Sequence, residues 1–355
     1  MVKPGDSRSL NDVYCRHVLE GRLPQLMPDA AEVPVAMSMP ITKAASIGAH
    51  ISVPILLPNG QPYGMFCCLG FAADHSLNER DLQTMKAFAE IASLEVNREL
   101  EAEARIQDKR KKIERVIEEN QLSMAFQPIW DVEAGRIVGF ESLARFSAAP
   151  YRSPDLWFAE AAEVGLGAAL EIEAIRRALN SLSVLPPPIY LGVSASPTTV
   201  VRAEFAEVLR GAPLERVVIE VTEHSSVENY EAILEALRPL RENGLRLAID
   251  DAGAGYASLR HILHMKPDFI KPDIEMTRNI DLDPARKALT AALIAFACDT
   301  GSRIIAEGVE RKGELETLRS IGVKKAQGYL LGRPANLDSA LKALARHQKT
   351  QYAAA

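Results

Sequence analysis

The chain has 355 residues, of which 47% are hydrophobic and 25% charged, and its formal net charge is −6. Such a composition is typical of a globular protein with two domains, and the acidic balance argues against a DNA or RNA polymer as partner. No apolar run approaches the length of a membrane span, and MVKPGDSRSL is not a signal peptide, so we expect a cytoplasmic protein without a membrane span. The four cysteines lack zinc or disulfide spacing and are expected to be reduced.

Residues 1–97 are predicted to form a smaller α/β domain. The runs HISVPILL and YGMFCCLGFA read as strands, and the Asn59-Gly60 pair between them predicts a hairpin. Together with YCRHVLEGRLPQLMPDA and the helix start at SLNERDL, these runs resemble the C-terminal part of a GAF sensor domain over residues 12–97. The start of such a domain is missing, through truncation or degeneration. The resemblance implies an unknown small ligand; a dimerising or scaffolding module without a ligand is the alternative.

A long helix is predicted to start near residue 77, because Ser76 and Glu79 have capping-box spacing, and to continue through a connector at 98–120. Its apolar residues follow a seven-residue rhythm at Leu82, Met85, Ala89, Ala92, Val96, Ile106, Ile113 and Ile117. This rhythm predicts a parallel coiled coil across a homodimer. Glu99 and Glu103 fall in the same seam, so a solvated helical linker is the alternative.

The second domain is predicted to span residues 121–347, followed by a tail at 348–355. Eight short apolar runs alternate with helical patterns here: MAFQPIW, IVGFESLARF, IYLGVSAS, VVIEVTE, LRLAIDD, FIKPD, RIIAEGVE and KAQGYLL. This alternation indicates an α/β fold of the (β/α)8 barrel type, with function at the C-terminal strand ends. Most of these runs carry carboxylates near their ends, and a cage of carboxylates is what Mg²⁺ or Mn²⁺ prefers.

Seven ordered motifs resemble the EAL family of cyclic di-GMP phosphodiesterases: QPI at 127–129, ESLAR at 141–145, IEVTE at 219–223, DDAGAGYASL at 250–259, KPD at 271–273, AEGVE at 306–310 and QGYLLGRP at 327–334. The resemblance implies a modified TIM barrel whose first strand is antiparallel to the others. It also implies hydrolysis of cyclic di-GMP to linear pGpG at a two-metal site that holds Mg²⁺ or Mn²⁺, regulated through the N-terminal domain.

The resemblance assigns roles residue by residue. The metal ligands are expected to be Glu141, Ser194, Glu220, Asp250, Asp251 and Glu307, with Asp250 shared. Lys271 is expected to hold or deprotonate the attacking water, and the other residues of the catalytic set, besides Glu307, are Glu223, Glu310 and Gln327. Substrate contacts are expected from Gln127, Pro128, Ile129, Leu143, Arg145 and Asp273.

The chain also departs from the family pattern. Ser194 stands where the family has an asparagine ligand, or Gly192 does in a shifted register. Pro272 follows the lysine, and the substrate loop reads DAGAGYASL, without an aromatic residue after its first aspartate. A serine hydroxyl is a shorter and weaker ligand than an amide oxygen. Two further hypotheses therefore stay open: a weak or inactive module that acts as a cyclic di-GMP receptor, and a protein-interaction module.

Overall fold

The computed structural model describes Ser9 and residues 12–222, 229–252 and 256–354. The chain divides into two compact units, Met1–Asp108 and Lys109–Ala355. No helix in these described ranges is long and apolar enough to cross a membrane.

The first unit contains a three-stranded antiparallel sheet and several short helices. Its elements are α1 (Tyr14–Leu19), β1 (Leu26–Met27), α2 (Pro34–Ser38), α3 (Pro40–Ala44), β2 (Ala49–Leu56), β3 (Pro62–Gly70) and the start of α4 (Glu79–Glu118). The strands lie in the order β1-β2-β3. The predicted hairpin is confirmed: β2 and β3 pair antiparallel, and Gly60 takes the left-handed φ of +80° that the turn requires. The GAF resemblance of this unit stays a prediction.

Helix α4 begins at Glu79, and its cap differs from the predicted one. The side chain of Asn78 accepts a hydrogen bond from Arg80 N, and Asp81 accepts one from Asn78 N, so Asn78 rather than Ser76 is the N-cap. Ser76 instead donates its hydroxyl to Asp74 at 2.5 Å. The capping box is therefore present, but two residues later in the chain than predicted.

The predicted coiled-coil seam is wrong at several positions. Leu82, Met85 and Ala89 are buried against Ile51 and Val53 of the sheet, within the first unit. Farther along the helix, Ile113 is fully buried in the second unit, next to Trp157. These apolar residues are therefore buried within the chain itself. The apolar stripe of an amphipathic helix packs against apolar surface, and here the same chain provides that surface.

The second unit is a closed barrel of eight strands surrounded by helices. The strands are β4 (Leu122–Asp131), β5 (Arg136–Phe146), β6 (Tyr190–Ala195), β7 (Val217–Thr222), β8 (Arg246–Ala252), β9 (Phe269–Pro272), β10 (Arg303–Ala306) and β11 (Lys325–Ala326). The helices are α5 (Pro154–Glu163), α6 (Gly167–Asn180), α7 (Pro197–Val200), α8 (Ala203–Val208), α9 (Tyr230–Glu242), α10 (Tyr256–Met265), α11 (Ile274–Thr277), α12 (Pro284–Asp299), α13 (Lys312–Ser320) and α14 (Leu337–Ala354).

The first barrel strand runs against the others. Strand β4 pairs antiparallel with both β5 and β11, whereas the other neighbouring pairs are parallel. The predicted (β/α)8 barrel with an antiparallel first strand is confirmed. The carboxyl ends of the seven parallel strands meet at one mouth of the barrel, which is where such folds carry their sites.

Side chains alternate between the two faces of each barrel strand, so the barrel interior is built in layers. The outward side chains form the large core against the helices. The inward side chains at mid-height form a separate apolar layer of Ile129, Tyr190, Val218, Ala248, Phe269 and Ile305. This layer closes the barrel interior, and polar side chains lie above and below it.

Candidate active site

Six polar side chains lie immediately above the apolar layer, at the carboxyl mouth of the barrel. Each lies two positions farther along its strand than an inward-facing residue at the height of the apolar layer, and therefore also faces inward. Glu220 follows Val218, Asp250 follows Ala248, and Lys271 follows Phe269. The other three are Glu141, Glu307 and Gln327. The residues that the strand-end pattern singled out therefore converge because the strands close into a barrel.

Lys271 occupies the centre of this group. Its Nζ lies 2.8 Å from Glu307, 3.0 Å from Glu220, 3.2 Å from Asp250 and 3.3 Å from Glu141. The Lys271 side chain has no exposed surface, and that of Glu220 is only 1% exposed. One buried ammonium thus attracts all four carboxylates and offsets part of their mutual repulsion in a medium of low dielectric constant.

The pKa values reflect this crowding. Burial raises the pKa of Glu220 to about 8, despite the opposing effect of the Lys271 ammonium. Burial also raises the pKa of Glu307 well above its usual range. Burial by itself lowers the pKa of Lys271, but the surrounding carboxylates outweigh it, and the net pKa is well above the ordinary value. The ring therefore needs more positive charge than one lysine supplies.

Two glutamines complete the ring. Gln327, just after the seventh parallel strand, donates from Nε2 to Glu141 and, at 2.8 Å, to Glu307, so it links acids of the first and the sixth parallel strands. Gln127 lies opposite Glu141 in the β4–β5 register and donates to Gly332 O at 3.3 Å. Both amides are buried, and Gln327 holds two carboxylates in fixed positions.

The carboxylates form two overlapping groups that fit metal ions. Oxygens of Glu141, Glu220 and Asp250 lie within 4.8 Å of one another, and so do those of Asp250, Asp251 and Glu307. Asp250 belongs to both groups. Asp251 takes a left-handed φ of +53°, which directs its backbone away from the regular strand just after Asp250. An all-oxygen donor set with a shared carboxylate suits a pair of hard divalent cations.

Ser194 lies at the rim of this site. It is the register partner of Glu220 and is exposed, on the same inward-facing side as Gly192. Gly192, the position aligned with the family's asparagine in the shifted register, has no side-chain ligand atom. A Cβ at this position would overlap the carboxylate of Glu220, so the glycine leaves room for that carboxylate.

A cavity of about 640 Å³ opens beside the carboxylate ring. It lies between the ends of β5 and β6 and the helices α5 and α6, and Leu143, Arg145 and Ser194 line it. Glu171 of α6 also lines it and accepts hydrogen bonds from Ser196 N at 2.8 Å and Ser196 Oγ at 2.9 Å. The sequence analysis missed Glu171, since a single acid within an amphipathic helix carries no local signal of a site.

Several predicted site residues lie elsewhere. Ile129 is fully buried in the apolar layer and Pro128 packs on the outer face against Gly332, so the predicted nucleotide contacts of these two residues are wrong in this structure. Asp273 caps α11 by accepting from Glu275 N, and Glu310 is exposed, with its backbone N donating to Glu314. Glu223 and residues 253–255 of the predicted substrate loop lie outside the described residues.

A carboxylate ring at the carboxyl mouth of a barrel with an antiparallel first strand defines a class of barrel proteins with a cation-binding active site. The family model for the EAL domain matches residues 110–334. The chain therefore belongs to the EAL domain family.

Curated relatives and solved structures agree with this assignment. The chain is 27% identical over 251 residues to the probable cyclic di-GMP phosphodiesterase PdeG of Escherichia coli, which covers 67% of this chain and 50% of PdeG. A manganese and cyclic di-GMP complex of BlrP1 from Klebsiella pneumoniae is 30% identical, with a TM-score of 0.54 over 61% of this chain and 56% of BlrP1. The EAL enzyme Bd1971 shares the fold at 20% identity, with a TM-score of 0.63 over 79% and 80% of the two chains.

The matched region is only part of the curated relatives. The matches cover 28% of a Sinorhizobium fredii protein, 31% of an Azorhizobium caulinodans protein and 29% of a Caulobacter vibrioides signalling protein.

We predict that the carboxyl group of Glu220 makes stability fall as pH rises in the absence of metal ions. Its pKa is about 8 in the folded chain against an ordinary 4.5, so its stabilising contribution is fully present below pH 4.5 and is lost as pH rises through 8. In wild type, titration of this group should therefore lower the free energy of unfolding by up to about 1.4 kcal/mol for each pH unit between pH 4.5 and pH 8. Glu220→Gln should remove this part of the slope.

Urea unfolding in EDTA at several values between pH 5 and pH 8.5 measures the slope. Glu204→Gln, at an exposed site on α8, is the matched control and should follow wild type. Parallel pH curves for wild type and Glu220→Gln would contradict the prediction.

Proposed function

We propose that this protein hydrolyses cyclic di-GMP to linear pGpG with the help of two Mg²⁺ or Mn²⁺ ions. The observation that carries the proposal is the position of Asp250, whose carboxylate belongs to both groups of ligand oxygens. A shared carboxylate is the arrangement that holds two metal ions a few ångströms apart. When bound, such a pair neutralises a phosphodiester and lowers the pKa of an attacking water.

The residues of the chain supply the positioning. Gln327 fixes the carboxylates of Glu141 and Glu307, and Lys271 holds four carboxylates together across the barrel mouth. Lys271 is also placed to orient a water molecule by donating from Nζ, and it would accept that water's proton only after losing its own, which bound cations would favour by lowering its pKa. The buried side chains exclude other water from this region, since Lys271 and Glu220 have almost no exposed surface.

The cavity beside the ring is the proposed nucleotide site. Arg145 lines it and carries a guanidinium suited to a phosphate oxygen, and Leu143 and Phe158 offer apolar surface to a base. Relatives named cyclic di-GMP phosphodiesterases, and a solved BlrP1 complex with cyclic di-GMP at 30% identity, support this choice of substrate. The protein is proposed to act on the dinucleotide rather than on a nucleic acid polymer, since its net charge is −6.

A second candidate function rests on Ser194. Its short hydroxyl replaces the amide oxygen that the family resemblance predicts as a metal ligand, at a rim position next to Glu220 in register. Looser metal binding would follow. A protein with this defect could bind cyclic di-GMP and report it without cleaving it.

Glu141→Gln should lower the turnover of cyclic di-GMP by more than about a hundredfold. Mutating a residue that only hydrogen-bonds to a metal ligand already lowers metal affinity or activity by about 10–100-fold, and Glu141 is proposed to be a ligand itself. The amide keeps the shape of the side chain and its contact with Gln327 but removes the charge. Formation of pGpG is measured by chromatography with Mg²⁺ or Mn²⁺ and after EDTA treatment. Glu133→Gln, in the exposed turn between β4 and β5, is the control and should keep wild-type turnover. Undiminished turnover in Glu141→Gln, or in EDTA, would refute the proposed site.

Ser194→Asn should place an amide oxygen within reach of a metal ion. We expect turnover at limiting metal to rise by about tenfold, which corresponds to about 1.4 kcal/mol of added metal-binding free energy. Ser194→Ala, which offers no oxygen, should not exceed wild type. The metal concentration that gives half-maximal turnover should fall in Ser194→Asn only. If wild type binds cyclic di-GMP without cleaving it, and only Ser194→Asn cleaves, the receptor function replaces the enzyme.

We further propose that a partial GAF-like domain regulates the site in a homodimer, through α4. Support comes from α4 itself, which contributes Leu82 and Met85 to the core of the first unit and Ile113 and Val116 to that of the second. A chain that begins at Lys109 keeps these second-unit residues. We expect this truncation to change turnover at least about threefold and to weaken dimerisation, measured by sedimentation. Unchanged turnover and unchanged association would contradict regulation through the first unit.

A further inference from the structure

The opposite mouth of the barrel carries a second polar layer, below the apolar one. It is formed at the amino ends of the parallel strands: Arg246 and Arg303 lie two positions before Ala248 and Ile305 of the apolar layer, and Lys325 pairs with Ile305 in the β10–β11 register. Because β4 is antiparallel, its last residue reaches the same end. The members of this basal layer are Asp131, Arg136, Arg246, Arg303 and Lys325.

The basal layer has an excess of positive charge. Three arginines and the carboxylate of Asp131 act on Lys325 here, and the carboxylate of Asp268 acts on Arg246. Burial lowers the pKa of Lys325; Asp131 opposes this, and the three arginines add to it. Within the described part of the chain none of these four cations forms an ion pair within 4.0 Å, and Asp268 pairs with Arg241 at 3.2 Å. The four cations and Asp131 together therefore carry a net charge of about +3.

Two polar atoms of this region are buried without a hydrogen-bond partner among the described residues: Arg246 Nε and Tyr190 Oη. The Arg246 guanidinium lies 4.7 Å from the centre of the Tyr190 ring, and Lys325 Nζ lies 5.9 Å from the same ring. Tyr190 is only 4% exposed. A buried donor without a partner is costly, so this end of the barrel favours a negative charge nearby.

An anion has space beside Arg303 and Lys325. A cavity of about 530 Å³ opens at this end of the barrel between β10, β11 and α12. Asp131, Arg303, Lys324 and Lys325 line it, whereas Arg246 and Tyr190 do not. Ser302 lines it too, although its hydroxyl donates to Pro267 O. The cavity is separated from the carboxylate ring by the apolar layer, so a ligand here would not compete with one at the other mouth.

We propose that the basal layer is an anion site that binds a phosphate group, as inorganic phosphate or a phosphate monoester. The Arg303 guanidinium and the ammonium groups of Lys324 and Lys325 belong to residues that line one cavity, and such groups match the several acceptor oxygens of a phosphate dianion. A carboxylate, with one charge and two oxygens, would leave part of this charge uncompensated. The proposal does not depend on the activity proposed for the carboxyl mouth.

The test is isothermal titration of the full chain with inorganic phosphate in EDTA, at constant ionic strength set with chloride. Metal-free conditions keep phosphate from the carboxylate ring, which repels anions when no cation is present. Wild type should show one saturable site. Lys325→Gln should weaken binding by about tenfold or more, the loss expected for one charge-assisted hydrogen bond.

Lys312→Gln is the matched control, because Lys312 is the exposed first residue of α13, does not line the cavity, and should leave binding unchanged. Arg303→Gln, at an exposed rim position of the same layer, gives a second reading if Lys325→Gln does not fold, and should also weaken binding about tenfold. The absence of saturable binding in wild type overturns the proposal. So does equal weakening in Lys312→Gln, which would mean only a diffuse attraction of anions.

Discussion

The contact between Lys271 and four carboxylates is the interaction on which the candidate site depends. Four strands must bring their acids to within 3.3 Å of one buried ammonium, and only a closed barrel does this. Removing one partner of such a buried group costs about 3–5 kcal/mol. Neighbouring features follow from the same constraint: Gly192 leaves room for Glu220, and Gln327 ties two of the acids together.

The barrel interior separates opposite charges along its axis. Strand β8 carries Arg246 at one end and Asp250 at the other, and β10 carries Arg303 and Glu307 in the same sense, with an apolar layer between. In a medium of low dielectric constant, direct contact between these groups would pair them and consume the charge that each mouth presents. The apolar layer prevents this pairing, so both ends retain charge that ligands from solution can neutralise.

Sequence reasoning could predict the acid ring because strands that end in carboxylates are visible along the chain, and the barrel follows from eight alternating runs. It could not assign Ile129 correctly, because whether a strand residue faces the mouth or the apolar layer depends on its height in the barrel. The prediction that Leu82 and Met85 lie in a coiled-coil seam was wrong for a related reason: an apolar stripe on a helix does not show which apolar surface will cover it. The basal layer could not be predicted from the sequence, because its residues are far apart along the chain and come close only through the register of the strands.

The carboxylate ring bears on the choice between an enzyme and a receptor. Glu220 and Glu307 retain raised pKa values, which means that the chain spends folding free energy to hold acids at a density one lysine does not neutralise. Added cations would remove that cost, whereas a nucleotide, itself anionic, would increase it. A site that only bound the nucleotide would therefore gain by having fewer acids. Ser194 at the rim leaves this imbalance intact, so the carboxylate ring favours the binding of cations.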